Sequence, residues 1–182
     1  MAAFRVPGPT FAFPRSVLIP SAAVGVLAGL WLRMAGTGWS AGLGALLVGL
    51  AVWTLVEYLL HRFILHGVEP FRSWHLEHHR EPDVPMRTPV LFSLMLVLTL
   101  AVLPSVLWAD TGFPVALSGG LILGHLVQEL VHYHLHRAMP RSQGWLAARW
   151  RHHDFHHHDN DCLAFGTLAS FWDRLLGTQP GR

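Results

Sequence analysis

Apolar runs alternate along this chain with polar segments too short or too charged to share their environment. A membrane-crossing helix needs roughly 20 mostly apolar residues. Four windows qualify: Ser16 to Leu32, Ala41 to Leu60, Thr88 to Ala109 and Phe113 to Val131. Each is expected to form a transmembrane helix. Pro20 and Pro104 fall inside apolar runs, where a missing N–H kinks a helix or marks its end. The first window is long for a signal peptide and no clear small-residue cleavage site follows, so it is read as a retained helix. Gly25 with Gly29, and Gly120 with Gly124, have the spacing that lets helices pack closely. The remaining extended segments, Gly67 to Arg87 and His136 to Arg182, are too polar to span and too rich in histidine to be mere connectors.

Composition agrees with a membrane protein. Of the 182 residues, 52% are hydrophobic and only 13% charged, where a soluble domain is nearer a quarter charged. A formal net charge of +2 and the lack of a basic run exclude a nucleic-acid partner. Cys162 is the only cysteine, which rules out an internal disulfide and a cysteine-based metal knuckle. The distribution of arginine sets the orientation. Arg5 and Arg15 precede the first window, and Arg62, Arg72, Arg80 and Arg87 follow the second. Arg137, Arg141, Arg149, Arg151, Arg174 and Arg182 follow the fourth. The opposite side has only Arg33, and the loop around Asp110 has no basic residue. Both termini, and every histidine segment, are therefore expected on the cytosolic side.

Fourteen histidines are the unusual feature, and neutral imidazole is a common ligand of transition metals. Four clusters occur. In EYLLHRFILH, His61 and His66 are five apart, about 140° around a straight helix. They face one site only if the helix ends or bulges between them, as helices do at functional sites. In HLEHH, residues His75, His78 and His79 share a helical face. In HYHLH, His132 and His136 share one, on a stripe continued backward by Glu129 and His125. In HHDFHHH, residues His153, His156 and His157 repeat the spacing of the second cluster. Ten face-sharing imidazoles suit two metal ions with about five ligands each and a position left open for oxygen or water. A solvated, pH-responsive histidine surface is the bland alternative, and it does not explain the repeated spacing. His125, His134, His152 and His158 are read instead as packing, hydrogen-bonding or exposed residues. Glu57 and Glu129, carboxylates at helix ends beside the clusters, are expected to accept hydrogen bonds from ligand ring N–H groups. Phe171, Trp172, Asp173 and Arg174 are expected in an interfacial helix. Asp154, Asp159 and Asp161 are expected in solvent.

The motifs EYLLHRFILH, HLEHH, HYHLH and HHDFHHH, with the tail AFGTLASFWDRLLGT, resemble the fatty acid hydroxylase superfamily from about Glu57 to Thr178. That superfamily includes sterol desaturases and fatty acid 2-hydroxylases. The tyrosine of EYLLHRF and the FWDRLLGT tail are most similar to the 2-hydroxylase branch. The tight spacing from His66 to His75 resembles carotenoid hydroxylases, which rank second. The resemblance carries ligand roles onto His61, His66, His75, His78, His79, His132, His136, His153, His156 and His157. It implies a single integral-membrane domain over residues 1–182, all-α, with four transmembrane helices and a cytosolic histidine-rich helical cap. The cap, with the second and fourth clusters, would close over the helix ends bearing the first and third. An apolar channel would admit a lipid from the bilayer. Iron is the expected metal, zinc an alternative occupant after purification, and oxygen the co-substrate. The implied reaction is hydroxylation of a lipid acyl chain, at C-2 as first choice, with desaturation on the same site as its relative. Some members carry a fused haem domain for which this chain has no room. Electrons are therefore expected from a separate b-type cytochrome, or a ferredoxin with its reductase. The non-enzyme rivals are a haem protein and a metal transporter, whose ligands would lie near the bilayer midplane rather than at one edge.

Overall fold

The structure, a computed structural model, describes residues 10–34, 39–84, 87–107, 112–137 and 143–181. Arg5, Asp110, Arg141 and Arg182, used above for orientation, lie outside them, as does the end of the third window. The helical elements are α1 (Leu18–Met34), α2 (Trp39–Leu59), α3 (Phe71–Arg80), α4 (Val90–Val97), α5 (Leu103–Leu107), α6 (Gly112–Leu135), α7 (Trp145–His158) and α8 (Phe171–Leu175). A π-helical turn, Leu60–Leu65, continues α2, and another, Leu98–Val102, joins α4 to α5. The described strands are two three-residue pieces, β1 (Thr10–Ala12) and β2 (Arg87–Pro89), paired antiparallel with Phe11 opposite Thr88. The fold is otherwise all-α.

The chain divides into two compact units. One takes Pro7–Trp53 and Arg87–Val127, and its core gathers Leu27, Ala101, Val115 and Ile122, with Trp31 and Val97 against them. Its outer surface is apolar. Val26 is 63% exposed, Leu47 56% and Val106 66%. Water would penalise such a surface, whereas lipid does not, because the helices satisfy their own backbone groups. Three helical stretches are long and apolar enough to cross a membrane: Arg15–Met34, Trp39–Leu65 and Gly112–Leu135. They match the first, second and fourth windows, and the chain is a membrane protein. The third window is helical too, but its continuous apolar helix, Phe92–Val102, is shorter. The turn Leu98–Val102 lies just before Pro104, which has no N–H to return to the carbonyl four residues back. Such a widened turn is a common accommodation.

The expected close packing holds for one glycine pair and fails for the other. A Cβ on Gly120 would overlap the carbonyl of Leu46, and one on Gly124 would come 2.6 Å from Cβ of Trp53. These glycines bring α6 against α2. Gly25 and Gly29 would meet nothing within 4 Å among the described residues, so their spacing serves no packing there.

The second unit takes Thr54–Met86 and Gln128–Arg182 and holds all ten boxed histidines. The turn after α2, the last turns of α6, and α3, α7 and α8 contribute to it.

Candidate metal centre

His61 and His66 are brought together by the π turn. The N–H of His66 bonds the carbonyl of His61 at 3.1 Å, five residues back. This widened turn cancels the 140° offset of an ordinary helix, and the two rings lie 5.1 Å apart.

Across the unit, histidine side chains form two groups. In the first, one nitrogen from each of His61, His66, His75, His79 and His156 lies within 4.8 Å of the others. In the second the same holds for His78, His132, His136 and His157. His153 joins the second, its Nε2 2.9 Å from that of His136. The HxxHH clusters on α3 and α7 do not each converge on one point, as their shared face suggested. On an α-helix the fourth residue onward is rotated about 40° one way and the third about 60° the other. So α3 sends His75 and His79 to the first group and His78 to the second. Helix α7 does the reverse, sending His153 and His157 to the second and His156 to the first. Each group thus has two histidines from a membrane-helix end, an i, i+4 pair from one HxxHH helix, and the i+3 residue from the other. The ring planes of His79 and His157 stack at 4.0 Å where the groups meet.

The spacing fits ions. In the first group, Nε2 of His75 lies 2.9 Å from that of His61 and 3.1 Å from that of His79, and His66 and His156 are 3.1 Å apart. In the second, His78, His132 and His136 form a triangle of 3.2, 3.1 and 3.0 Å. Around an ion with nitrogen ligands at about 2.1 Å, ligands at right angles are about 3.0 Å apart and tetrahedral ones about 3.4 Å. These edges suit five- or six-coordinate ions better than a closed tetrahedral site.

Two of these rings have their tautomer fixed. Nδ1–H of His61 donates to the Phe165 carbonyl at 2.5 Å, and Nδ1–H of His156 to that of Leu163 at 2.6 Å. Each Nε2 is left as a lone pair facing its group. Both ring nitrogens of His157 are buried without a hydrogen-bond partner, which costs about 1–3 kcal/mol per group and is relieved at one nitrogen by an ion. Burial, reinforced by neighbouring imidazoles, pushes His66 and His136 down to about 4 and His78 and His79 to about 3. It lowers His75, His153 and His157 as well. At neutral pH these rings are uncharged, so each keeps one nitrogen with a free lone pair.

The other histidines stay outside both groups. The rings of His134 and His158 donate to carbonyls of their own helices, and His125 packs on Trp53 with centroids 5.0 Å apart. Glu129 is half-buried one turn before His132. Glu57 departs from the expectation. It is 2% exposed and accepts from backbone N–H groups of Thr167 and Leu168, at 2.5 and 3.4 Å, rather than from a ring. Asp173 was not singled out as a site residue, and the expected interfacial helix is only partly right. Phe171 and Leu175 of α8 are exposed, but Asp173 is fully buried. Its carboxylate accepts from the N–H groups of Phe165 and Gly166 at 2.8 and 3.0 Å, from Thr178 Oγ1 at 2.8 Å and from His152 Nε2 at 3.0 Å. Burial alone would raise this carboxyl, and the donors hold it below the usual carboxylate range. Arg149 is also buried, donating to the Gly166 carbonyl and Ser170 Oγ, so it is no free membrane-surface cation.

The profile of the fatty acid hydroxylase family matches residues 46–178, most of the chain and all ten histidines. The chain belongs to the fatty acid hydroxylase family. Similar members include a dihydroceramide fatty acyl 2-hydroxylase of Arabidopsis thaliana, 30% identical over 143 residues that cover 73% of this chain and 59% of that protein. A fatty acid 2-hydroxylase of Rattus norvegicus is 30% identical over 75% of this chain and 39% of its own length. This hydroxylase family member therefore spans between two fifths and three fifths of those relatives. Among solved structures, that of full-length scs7p, with only its hydroxylase domain visible, superposes with a TM-score of 0.74 at 26% identity. The match covers 91% of this chain and 66% of that one.

Proposed function

We propose that this chain hydroxylates a lipid acyl chain, using oxygen, at two metal ions held by ten histidines. His61, His66, His75, His79 and His156 hold one ion, and His78, His132, His136, His153 and His157 the other. The observation that supports this most is the two-two-one division of clusters, which gives one set of five nitrogens and one of four, with His153 against His136 as the fifth of the second. Iron is the working metal, and zinc suits the same nitrogen donors in protein purified without it. When bound, the iron pair supplies, with oxygen and two outside electrons, the oxidising power that no side-chain acid or base has against an unactivated C–H bond. The protein's residues supply neutral imidazoles, two of them with the tautomer fixed by a carbonyl, and a fixed ligand geometry.

The names of the relatives, which specify 2-hydroxylation of a fatty acid or fatty acyl group, support C-2 of a fatty acyl group as the carbon attacked. Electrons come from a separate b-type cytochrome or ferredoxin. The histidine unit faces the cytosol, a reading supported by the arginine distribution, and Val90–Leu107 makes the fourth crossing. Lipidomics of cells expressing the wild type and a His156→Ala, His157→Ala double variant, which removes a ligand from each group, tests this. Acyl chains one oxygen atom heavier should accumulate only with the wild type. Matching profiles across several host lipids would overturn the reading, and loss of a hydrogen pair would reassign it to desaturation.

A further inference from the structure

Residues 163–167 form a turn whose N–H groups and three of whose carbonyls are hydrogen-bonded. The carbonyls of Leu163 and Phe165 take the Nδ1–H of His156 and His61. Between them Ala164, 1% exposed, has φ of 60°, the left-handed region that costs a non-glycine residue about 1–2 kcal/mol. That reversal aims both carbonyls at rings. Four successive N–H groups hold the turn: Ala164 donates to the Thr178 carbonyl at 2.8 Å, Phe165 and Gly166 to Asp173, and Thr167 to Glu57. A Cβ on Gly166 would overlap the Ala169 carbonyl and lie 2.9 Å from Asp173 Oδ2, so carboxylate and backbone are in close contact.

The donors can be followed in one direction. Arg62 Nη1 donates to Tyr58 Oη at 2.7 Å, and the Thr178 hydroxyl spends its proton on Asp173. Tyr58 must therefore donate to Thr178 Oγ1, at 2.9 Å. The chain runs from Arg62, next to His61, through Tyr58 and Thr178 to Asp173, and returns through Phe165 to His61 itself. Among the described residues, the buried Nδ1 atoms of His75 in the first group and of His78 and His157 in the second have no such partner, so the tie to this turn is made by His61 and His156.

We propose that Asp173 is a positioning residue for the first metal alone, fixing the Leu163–Gly166 turn whose carbonyls orient His61 and His156. Stored backbone strain at Ala164 persists because the carboxylate over-determines the turn. Replacing one carboxylate oxygen by an amide N–H points a donor at a backbone donor and releases the turn. Groups that orient ligands in this way are worth about 10–100-fold in metal affinity.

The inference rests on the metal reading above, and its test separates the two. Full-length protein in detergent is loaded with zinc and titrated with a chelator, with the metal counted by mass spectrometry. Asp173→Asn is made in two backgrounds: His78→Ala, which weakens the second group, and His66→Ala, which weakens the first. In the His78→Ala background the remaining ion should be lost at 10–100-fold lower chelator concentration. In the His66→Ala background the remaining ion should be released as before. Equal shifts in both, or none in either, would overturn the role of Asp173 while leaving two-metal binding intact. A wild type that binds no zinc would instead sink the parent reading. Should Asp173→Asn fail to fold, Thr178→Val removes a single donor to the same carboxylate. It should reproduce the selective shift at a smaller size, and its failure to do so would also overturn the proposal.

Discussion

Replacing His78 by alanine separates the two groups cleanly. His78 is 6% exposed, and its Nε2 approaches those of His132 and His136 at 3.2 and 3.1 Å. It is the single residue that α3 lends to the second group, so the first keeps all five nitrogens. Structural sites with four ligands bind zinc with about 10–16 kcal/mol, or about 2.5–4 kcal/mol per ligand. At about 1.4 kcal/mol per decade, one lost imidazole weakens the second ion about 100- to 1,000-fold. Competitive dialysis against chelators of graded strength, with metal counted per chain, should show one ion released early and one released as in the wild type. His156→Ala should give the mirror-image result, because α7 lends that residue to the first group. A His78→Ala protein that stays folded and yet holds both ions at wild-type strength, or loses both together, would refute the two-two-one division.

Three further outcomes follow. Gly120→Ala forces a methyl onto the Leu46 carbonyl and should cost about 1–3 kcal/mol in thermal unfolding in detergent. Gly25→Ala meets nothing and should melt like the wild type, and equal melting of the two variants would disprove the close α2–α6 approach. Metal-free protein should lose stability as pH falls. Its histidines take up protons near 6.5 when unfolded but only at about 3–4 when folded. That stability is complete above about 6.5 and declines as the pH drops toward 4, and a flat melting temperature from pH 7 to 5 would contradict it. His134→Ala removes a bond to a carbonyl of its own helix, and His158→Ala removes contacts to the Asp154 carbonyl and carboxylate. Metal content should be unchanged, and loss of an ion from either would mean that the ligand set is wrong.

The sequence carried much of this because its signals were periodic. Helical spacing located His75, His78, His79, His132, His136, His153, His156 and His157 on usable faces. The awkward five-residue step from His61 to His66 pointed to a bulge, found as the π turn. Which ion each imidazole serves was not legible from a shared face, since that depends on the opposite rotations of i+3 and i+4 toward different neighbours. Contacts distant in sequence were lost altogether. Glu57 meets Thr167 across 110 residues, and Asp173 bonds back to a turn whose path no local pattern reveals. A signal did exist for Asp173: a lone carboxylate in the apolar tail AFGTLASFWDRLLGT has to be paired if it is buried. Gly25 and Gly29 show the converse, a packing motif that meets no partner face among the described residues. The third apolar window was long enough in composition, and Pro104 with its π turn divides the helix it forms.

Anomalous diffraction at the iron edge, from protein purified out of iron-replete cells, tests the central claim most directly. Two peaks per chain are predicted, one among His61, His66, His75, His79 and His156 and the other among His78, His132, His136, His153 and His157. A single peak, or none after iron loading of folded protein, would contradict the account.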